Sequence, residues 1–446
     1  MIDNKAVCDV FQEIMLEFSD MKPANLDELE SKTLDAIYKL GSYLMEWKLN
    51  DWNQQLVKEK CETCNTKLEN RSRHRQIITW VSDVNIDRYM SYCPECKETE
   101  YPLDEAMGLL PNQRMSSQVQ ELAVLCGASW DYTRSEYIMK KILRRYCASH
   151  NTIQRLTKEV GDEASRETEG SKIKELEEDK KAQGDYFENM ELYDTPQTRI
   201  YIDMDGVMIN SRDNEKRMEG KVGLVWSERE LVKEDTYALI DKRSSGSFTD
   251  TESFNWDIVS EVYKRSGGKL DEVGSFVRGD GAPFIRSFRE MHMPKSRYIL
   301  DYYHLCEKVN ERLSSVYEDK HERYKEREAL MHLLDSGDVE GALESIRGMK
   351  KRFRKKEKLE ALERLSGYIQ RNREGIWYEE ARSKGISLWS GSADKAGDIL
   401  ICRRMKLRGM RWGREGADAV LNIRVLIANG EWDEFWRDHK ARLKAA

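Results

Sequence analysis

The chain has 446 residues, 35% of them charged and 39% apolar, with a formal net charge of −7. That length suits two or three domains with proper cores, and that balance suits a soluble, surface-rich, helix-rich protein. No stretch reaches about 18 uncharged apolar residues, and the amino terminus, MIDNKAVCDVFQEIM, has acids where a signal peptide needs a basic region. Neither a membrane partner nor export is expected, and the cytoplasm is the expected location.

Residues 1–55 read as helical, with Val10, Ile14, Met15 and Phe18 at spacings of three and four and a break near Lys22-Pro23. Residues 56–110 hold four of the nine cysteines in a metal-binding spacing: Cys61-x2-Cys64 and, after 28 residues, Cys93-x2-Cys96. Each pair can sit on a tight knuckle with two thiolates aimed at one ion, so the spacing predicts a tetrahedral Zn²⁺ site. The intervening RQIITWVSDVNIDRYMSY alternates as a β-hairpin does, which suits a zinc ribbon. Reduced free thiols or a redox pair is the competing reading, because the loop exceeds the usual template. Cys8, Cys126, Cys147, Cys306 and Cys402 read as packing residues.

Residues 111–160 contain three helical patterns, SSQVQELAVLCGAS, YTRSEYIMKKILRRY and SHNTIQRLTKEVG. Asn151, Thr152, Gln154 and Arg155 early in the third suit a helix-turn-helix unit that contacts DNA; a small helical packing domain is an equal competitor. Residues 161–195 are polar and of mixed charge, as in a linker or a solvent-exposed helix.

The composition then switches to strands. TRIYIDMDG, KVGLVWSE, DTYALIDKRSSGSF, EVGSFVRGD and SRYILDYYH are five candidates, with helical patterns before the last two, which predicts a mixed sheet of the α/β class. Asp205 and Asp280 each end such a run and precede glycine, as expected for a carboxylate at the carboxyl edge of a sheet, where open α/β sheets bind ligands. Asp-Gly is also an ordinary turn dipeptide. Residues 303–383 read as helical and highly charged, and they separate the sheet from a third acid, Asp394, at the start of a helix in WSGSADKAGDIL. Three convergent carboxylates point to Mg²⁺ (or Mn²⁺), and two such ions about 3.5–4 Å apart clamp both oxygens of a phosphodiester exchange.

Net charge alone does not look like that of a nucleic-acid binder, but residues 345–412 carry 19 Lys/Arg against 8 Asp/Glu. The run KKRFRKKEK and the stretch Arg403, Arg404, Lys406, Arg408, Arg411, Trp412 lie there. Placed after Asp394, those cations would hold the scissile strand and Trp412 would stack on an unpaired base; a helix surface paired with acids is the competing reading. The end, GADAVLNIRVLIANGEWDEFWRDHKARL, reads as an amphipathic helix, a break at Gly430 and a short aromatic helix whose Trp432, Phe435 and Trp436 belong to a core.

YPLDEAMGLLP, NTIQRLTKEVG, DMDGVMI, KVGLVW, GDGAPFI, ILDYYHLCEKV, RRMKLRGMRW and GADAVLNIRVLIANGEWDEFW carry a further signal. Through them the chain resembles bacterial insertion-sequence transposases of the ISKra type, relatives of the Mutator-like DDE transposases, from the zinc segment to the last helix. The resemblance implies an α/β chain: a ribonuclease H-like catalytic domain over residues 196–446, with a helical insertion at about 306–385. Before it would come an N-terminal helical region (1–55), a zinc ribbon (56–110), a helical DNA-binding region (111–160) and a charged linker (161–195). It places the first two metal-holding catalytic acids on Asp205 and Asp280. The third, usually glutamate, falls on Asp394, where Ser390 and Gly391 fit the pattern and Trp389, Ala393 and Lys395 depart from it. Asp301 would orient His304 beside them. The implied activity is metal-dependent DNA cleavage and strand transfer at the ends of the chain's own insertion sequence. Terminal inverted repeats and target DNA would be its partners, with assembly as a homo-oligomer on DNA in the nucleoid. The alternative is a catalytically weakened or inactive DNA-binding derivative, because aspartate is one methylene shorter than glutamate.

Overall fold

The computed structural model describes residues 4–19, 22, 25–176, 179–195, 197–213, 215–233 and 236–445. Pro23, part of the expected break, lies outside the described residues. The chain divides into two compact units, Met1–Thr157 with Trp432–Ala446, and Lys158–Glu431.

In the first unit the helices Asn4–Ser19 and Leu26–Leu56 precede a hairpin of β1 (Glu69–Ile78) and β2 (Asp83–Tyr92), closed by β3 (Thr99–Glu100). Leu49 of the long helix packs with Ile77, Val84, Ile86 and Leu103. Asn53 fixes the register by donating from Nδ2 to the Asp87 carbonyl at 2.9 Å and accepting from the Tyr89 N–H at 3.0 Å. The three expected helices follow at Ser117–Ser129, Tyr132–Ile142 and His150–Arg166, the first two capped by Ser116 and Asp131 and the third belonging to this unit only as far as Thr157. Gly127 sits where the first and third cross: a Cβ there would lie 2.2 Å from Thr157 Oγ1.

The aromatic helix Trp432–Ala445 belongs to this unit, whereas the sequence suggests a single domain running to residue 446. Its Trp432, Phe435 and Trp436 are buried, and Trp432 Nε1 donates to Glu121 Oε1 at 3.1 Å. Gly430, in the left-handed region at φ 76°, makes the break before it.

In the second unit the expected linker is folded. Helices Glu169–Glu175 and Lys180–Glu188 occupy it, and the first lies against the helix Thr251–Arg265. Its one central apolar residue, Ile173, is fully buried, and the Gly170 N–H donates to Asp257 Oδ1 at 2.6 Å. A polar segment needs few apolar anchors when its backbone is hydrogen-bonded to a neighbour.

The main sheet comprises β4 (Arg199–Asn210), β5 (Arg217–Trp226), β8 (Arg243–Ser247), β9 (Gly274–Gly279) and β10 (Arg297–Leu300), while β6 (Arg229–Lys233) and β7 (Thr236–Leu239) form a separate ribbon. The third strand candidate therefore divides between ribbon and sheet. The sheet order is β10-β9-β4-β5-β8; β4–β5 and β5–β8 are antiparallel, and β4–β9 and β9–β10 are parallel. It is thus a mixed sheet in an α/β unit. One core joins it to the helices between residues 302 and 383, through Leu305, Leu334, Leu365 and Ile369. Tyr378 Oη donates to the Leu300 carbonyl at 2.9 Å and Trp377 Nε1 to that of Tyr298 at 2.7 Å, which ties these helices to edge strand β10. A smaller core joins Val207, Ile209 and Val222 to Leu400, Ile401 and Leu421. No described helix is long and apolar enough to cross a membrane.

Candidate metal centres

The two CxxC pairs build matching knuckles. In each, the first cysteine's carbonyl accepts from the residue four positions on, Asn65 or Lys97, at 2.9 Å, and that residue takes a positive φ, 61° or 59°. The first cysteine's own N–H donates to the carbonyl of Thr66 or Glu98 at 2.9 Å. The hairpin brings the knuckles together until the four sulfurs lie within 4.8 Å of one another, Cys61 and Cys96 at 3.8 Å and Cys64 and Cys93 at 3.4 Å. Zn–S bonds of about 2.3 Å in a tetrahedron put sulfurs about 3.8 Å apart, so the cluster could bind a zinc ion. Thr66 draws the Cys64 thiol down to about 6, while the neighbouring Cys64 sulfur and burial push Cys96 up. Crowded sulfurs that cannot all ionise are what a divalent ion relieves.

The acids are placed by strand register. β4 does not end at Asp205: it runs to Asn210, with Asp205 opposite Val222 of β5, so Gly206 is strand and not turn. The strand end that matters is that of the parallel neighbour. β9 pairs with β4 up to Arg278 opposite Asp203 and stops at Gly279, so one more step carries Asp280 to the level of Asp205. β10 ends at the same level, Leu300 opposite Gly279, and Asp301 follows, its N–H donating to the Gly279 carbonyl at 2.9 Å. Three neighbouring strands thus deliver Asp205, Asp280 and Asp301 in one row.

Asp394 comes from the short helix Gly391–Gly397, which crosses β4. Gly397 permits the crossing, since a Cβ there would lie 2.8 Å from Val207 Cγ2 and 3.8 Å from Asp205 Oδ2. Burial, then repulsion from Asp394 and Asp280, pushes the Asp205 carboxyl up to about 6. Asp394 is raised too, by burial and by Asp301 and Asp280, against the pull of His304. The three carboxylates feel one another, yet their oxygens are not gathered within the 4.8 Å that encloses the sulfurs.

Asp301 accepts from Nδ1 of His304 at 3.1 Å and from Ser390 Oγ at 2.8 Å. Burial alone would raise its carboxyl; these donors outweigh it and hold it near 2. Asp301 in turn raises His304 to about 9, and the His304 Nε2 stands 3.9 Å from Asp394 Oδ1. At neutral pH an imidazolium therefore faces the third acid.

The basic stretch divides. Arg403, Lys406, Arg408 and Arg411 are exposed, with Arg403 Nε on Asp398 at 2.9 Å. Arg404 and Trp412 are buried, which corrects their assignment to a DNA-contacting surface. Trp412 continues the sheet beside β4, its N–H donating to the Asn210 carbonyl at 3.0 Å, and its ring lies 4.7 Å from the Arg404 guanidinium. The KKRFRKKEK run is largely a paired surface: Lys350, Arg352 and Lys358 meet Glu363, Glu326 and Glu318.

Residues 21–440 match the uncharacterised protein family UPF0236. The chain belongs to that family. It is also similar to the UPF0236 protein in the vanSb 3′ region of Streptococcus gallolyticus, 23% identical over 374 residues that make up 82% of this chain and 76% of the relative.

In this UPF0236 chain, one buried assembly escapes a reading of the sequence. Asp203 shares the strand face of Asp205, but its carboxylate is taken by Arg278, Nε at 2.6 Å and Nη2 at 2.7 Å, and by Trp226 Nε1 at 2.7 Å. Ser392 Oγ also donates to Asp203, and Arg278 Nη1 donates to the Ser387 carbonyl at 3.1 Å. The segment leading into the Asp394 helix is thereby fastened to the strands that carry the other two acids. An arginine two residues before the second acid was the available signal, because Arg278 has no exposed surface.

Proposed function

We propose that this chain is a DDE-type transposase that binds the ends of its own insertion sequence and cuts and joins DNA there. The observation that carries the reading is the convergence of Asp280 and Asp394 on Asp205 of the central strand β4, at the level where the parallel neighbour β9 ends. A first acid on the middle strand, a second beside it and a third on a helix beyond a helical insertion also support the ribonuclease H-like assignment.

Asp205, Asp280 and Asp394 would hold Mg²⁺ or Mn²⁺: three carboxylates are the hard oxygen donors such ions take, and the burial and mutual repulsion that push Asp205 and Asp394 up are what a cation offsets. Such ions, when bound, supply charge neutralisation and an activated water or hydroxyl. The aspartates would hold those ions against the scissile phosphate, and the His304 imidazolium, fixed by Asp301, would steady Asp394 and temper the local negative charge. Water would break the P–O3′ bond, leaving a 3′-hydroxyl and a 5′-phosphate; that hydroxyl would then attack a target phosphorus and displace a second 3′-oxygen. Exposed Arg403, Lys406, Arg408 and Arg411 would hold phosphates next to the acids.

In the first unit the cysteine cluster and the three helices Ser117–Ser129, Tyr132–Ile142 and His150–Arg166 would bind the terminal repeats. Exposed Phe11, Met15, Ile37 and Leu44 on the amino-terminal helices support self-association on DNA. The test is cleavage of duplexes bearing the element's ends by the full chain, with Mg²⁺ and with EDTA. Metal-dependent nicking at the end, lost in Asp205→Asn, is expected; end binding with no nicking by the unaltered chain would leave the inactive DNA-binding derivative.

A further inference from the structure

Beside the third acid, the helices Tyr302–Ser314 and Lys320–Asp335 enclose a cleft of about 520 Å³. Two rows at helical spacing line it: Tyr303, Cys306, Glu307 and Asn310 from one helix, and Lys320, Arg323, Tyr324 and Arg327 from the other. Both helices have already buried their apolar faces elsewhere, through Leu305, Val309 and Leu313 and through Leu330 and Leu334, all fully buried. The tyrosines are not part of that core. Tyr303 is 61% exposed and Tyr324 60% exposed, so two aromatic faces stand open to solvent in a cleft with three cations and one carboxylate. Arg327 pairs with its neighbour Glu328 at 2.6 Å; Lys320 and Arg323 form no ion pair among the described residues.

The cleft adjoins the third acid through the helix Tyr302–Ser314. The Tyr303 ring stands edge-on to that of His304, centroids 5.9 Å apart, and His304 faces Asp394 at 3.9 Å. Glu307, on the cleft wall, acts electrostatically on Asp394. The helix Tyr302–Ser314 thus carries both a wall of the cleft and the histidine that faces Asp394.

We propose that this cleft receives unpaired nucleotides of the DNA strand flanking the scissile bond, with bases stacking on Tyr303 and Tyr324 and phosphates held by Lys320 and Arg323. The choice of occupant follows from the pairing of open aromatic faces with cations. Bases in a duplex already stack on one another and offer only phosphates outward, whereas an unpaired strand presents both π-faces and charge. The volume lies within the roughly 300–1,000 Å³ of sites that enclose small organic groups. The inference rests on the transposase reading for the identity of the strand, but not for its test.

The test uses the full chain in EDTA, so that no cleavage occurs, with DNA ends carrying 2-aminopurine either in an unpaired flank or at the same position in a duplex. Stacking on tyrosine should quench the unpaired probe and leave the paired one unaffected. Tyr303→Ala with Tyr324→Ala should abolish the quench and weaken binding of the unpaired flank by roughly 5- to 100-fold for each base that loses its stack; Tyr303→Phe with Tyr324→Phe should retain both. Lys320→Gln and Arg323→Gln should each take about 0.7 from the salt slope for single-stranded DNA. Quenching that survives the double alanine variant, its absence in the unaltered chain, or equal effects on paired and unpaired probes would overturn the proposal. Metal-dependent nicking without tyrosine-dependent quenching would remove this inference alone, and quenching by a chain that never nicks would remove the transposase reading alone.

Discussion

Arg278 grips Asp203 through two nitrogens, with both residues wholly buried between the strands that carry the first and second acids. Breaking a buried pair strands a charge, so Arg278→Ala should cost about 3–5 kcal/mol and lower the melting temperature of the second unit. Ser392→Ala removes only the donor that fastens the Asp394 helix to Asp203. It should leave melting and DNA affinity nearly unchanged while lowering the cleavage rate, and Ser392→Thr should recover part of the loss. Equal rates for Ser392→Ala and the unaltered chain would show that the helix is held by packing alone.

Elemental analysis of protein purified without chelator should find about one zinc per chain, from the four-sulfur geometry. Cys93→Ser should lower both the metal content and the melting of the first unit, because ligation there is folding free energy. The second unit should melt as before. Unchanged zinc in Cys93→Ser would sink the assignment.

For the triad, Asp205→Asn and Asp280→Asn should each abolish end cleavage and spare end binding, since the amide keeps the shape but lacks the charge. Asp394→Glu is the more informative change. Asp394 is half exposed and faces His304 at 3.9 Å, so there is space for another methylene, and glutamate should match or exceed aspartate in cleavage rate. Full activity in Asp394→Ala would move the third ligand elsewhere, with Asp398 the next acid to test.

The exposed and buried arginines after Asp394 should behave differently. Replacing Arg408 and Arg411 with alanine should flatten the plot of log affinity against log salt by about 0.9 for each duplex phosphate that is no longer neutralised, with no effect on melting. Arg404→Ala should do the reverse, lowering melting through loss of its stack on Trp412 and leaving the salt slope alone. A shared salt effect would mean that Arg404 swings out to reach DNA.

Much of the architecture is legible because it is periodic. The alternation of runs such as RIYIDMDG and the three- and four-residue spacing of the long helices are local patterns, and the paired CxxC fixes its own geometry through two positive-φ knuckles. What is not legible depends on register and burial. Asp-Gly at 205–206 has the composition of a turn, yet β5 pairs through it. Arg404 and Trp412 read as a cationic, aromatic DNA surface because sequence does not reveal that Trp412 lies beside Asn210 and shields the guanidinium. The charged segment before β4 looks like a linker because a few scattered anchors, Ile173, Phe187, Met190 and the Gly170 backbone hydrogen bond, hold it down in place of an apolar stripe.

The aromatic helix Trp432–Ala445 completes the unit that holds the cysteine knuckles. On the ribosome, the 274 residues between Thr157 and Trp432 must be made before Trp432 can reach Glu121, a delay of roughly 15–55 s at common elongation rates. The inner unit can therefore assemble while the outer one waits for its last piece. A chain released before Trp432 would carry the aspartates on a finished sheet while the cysteine-bearing unit still lacked its aromatic helix, so the outer unit closes only after the inner one has been made.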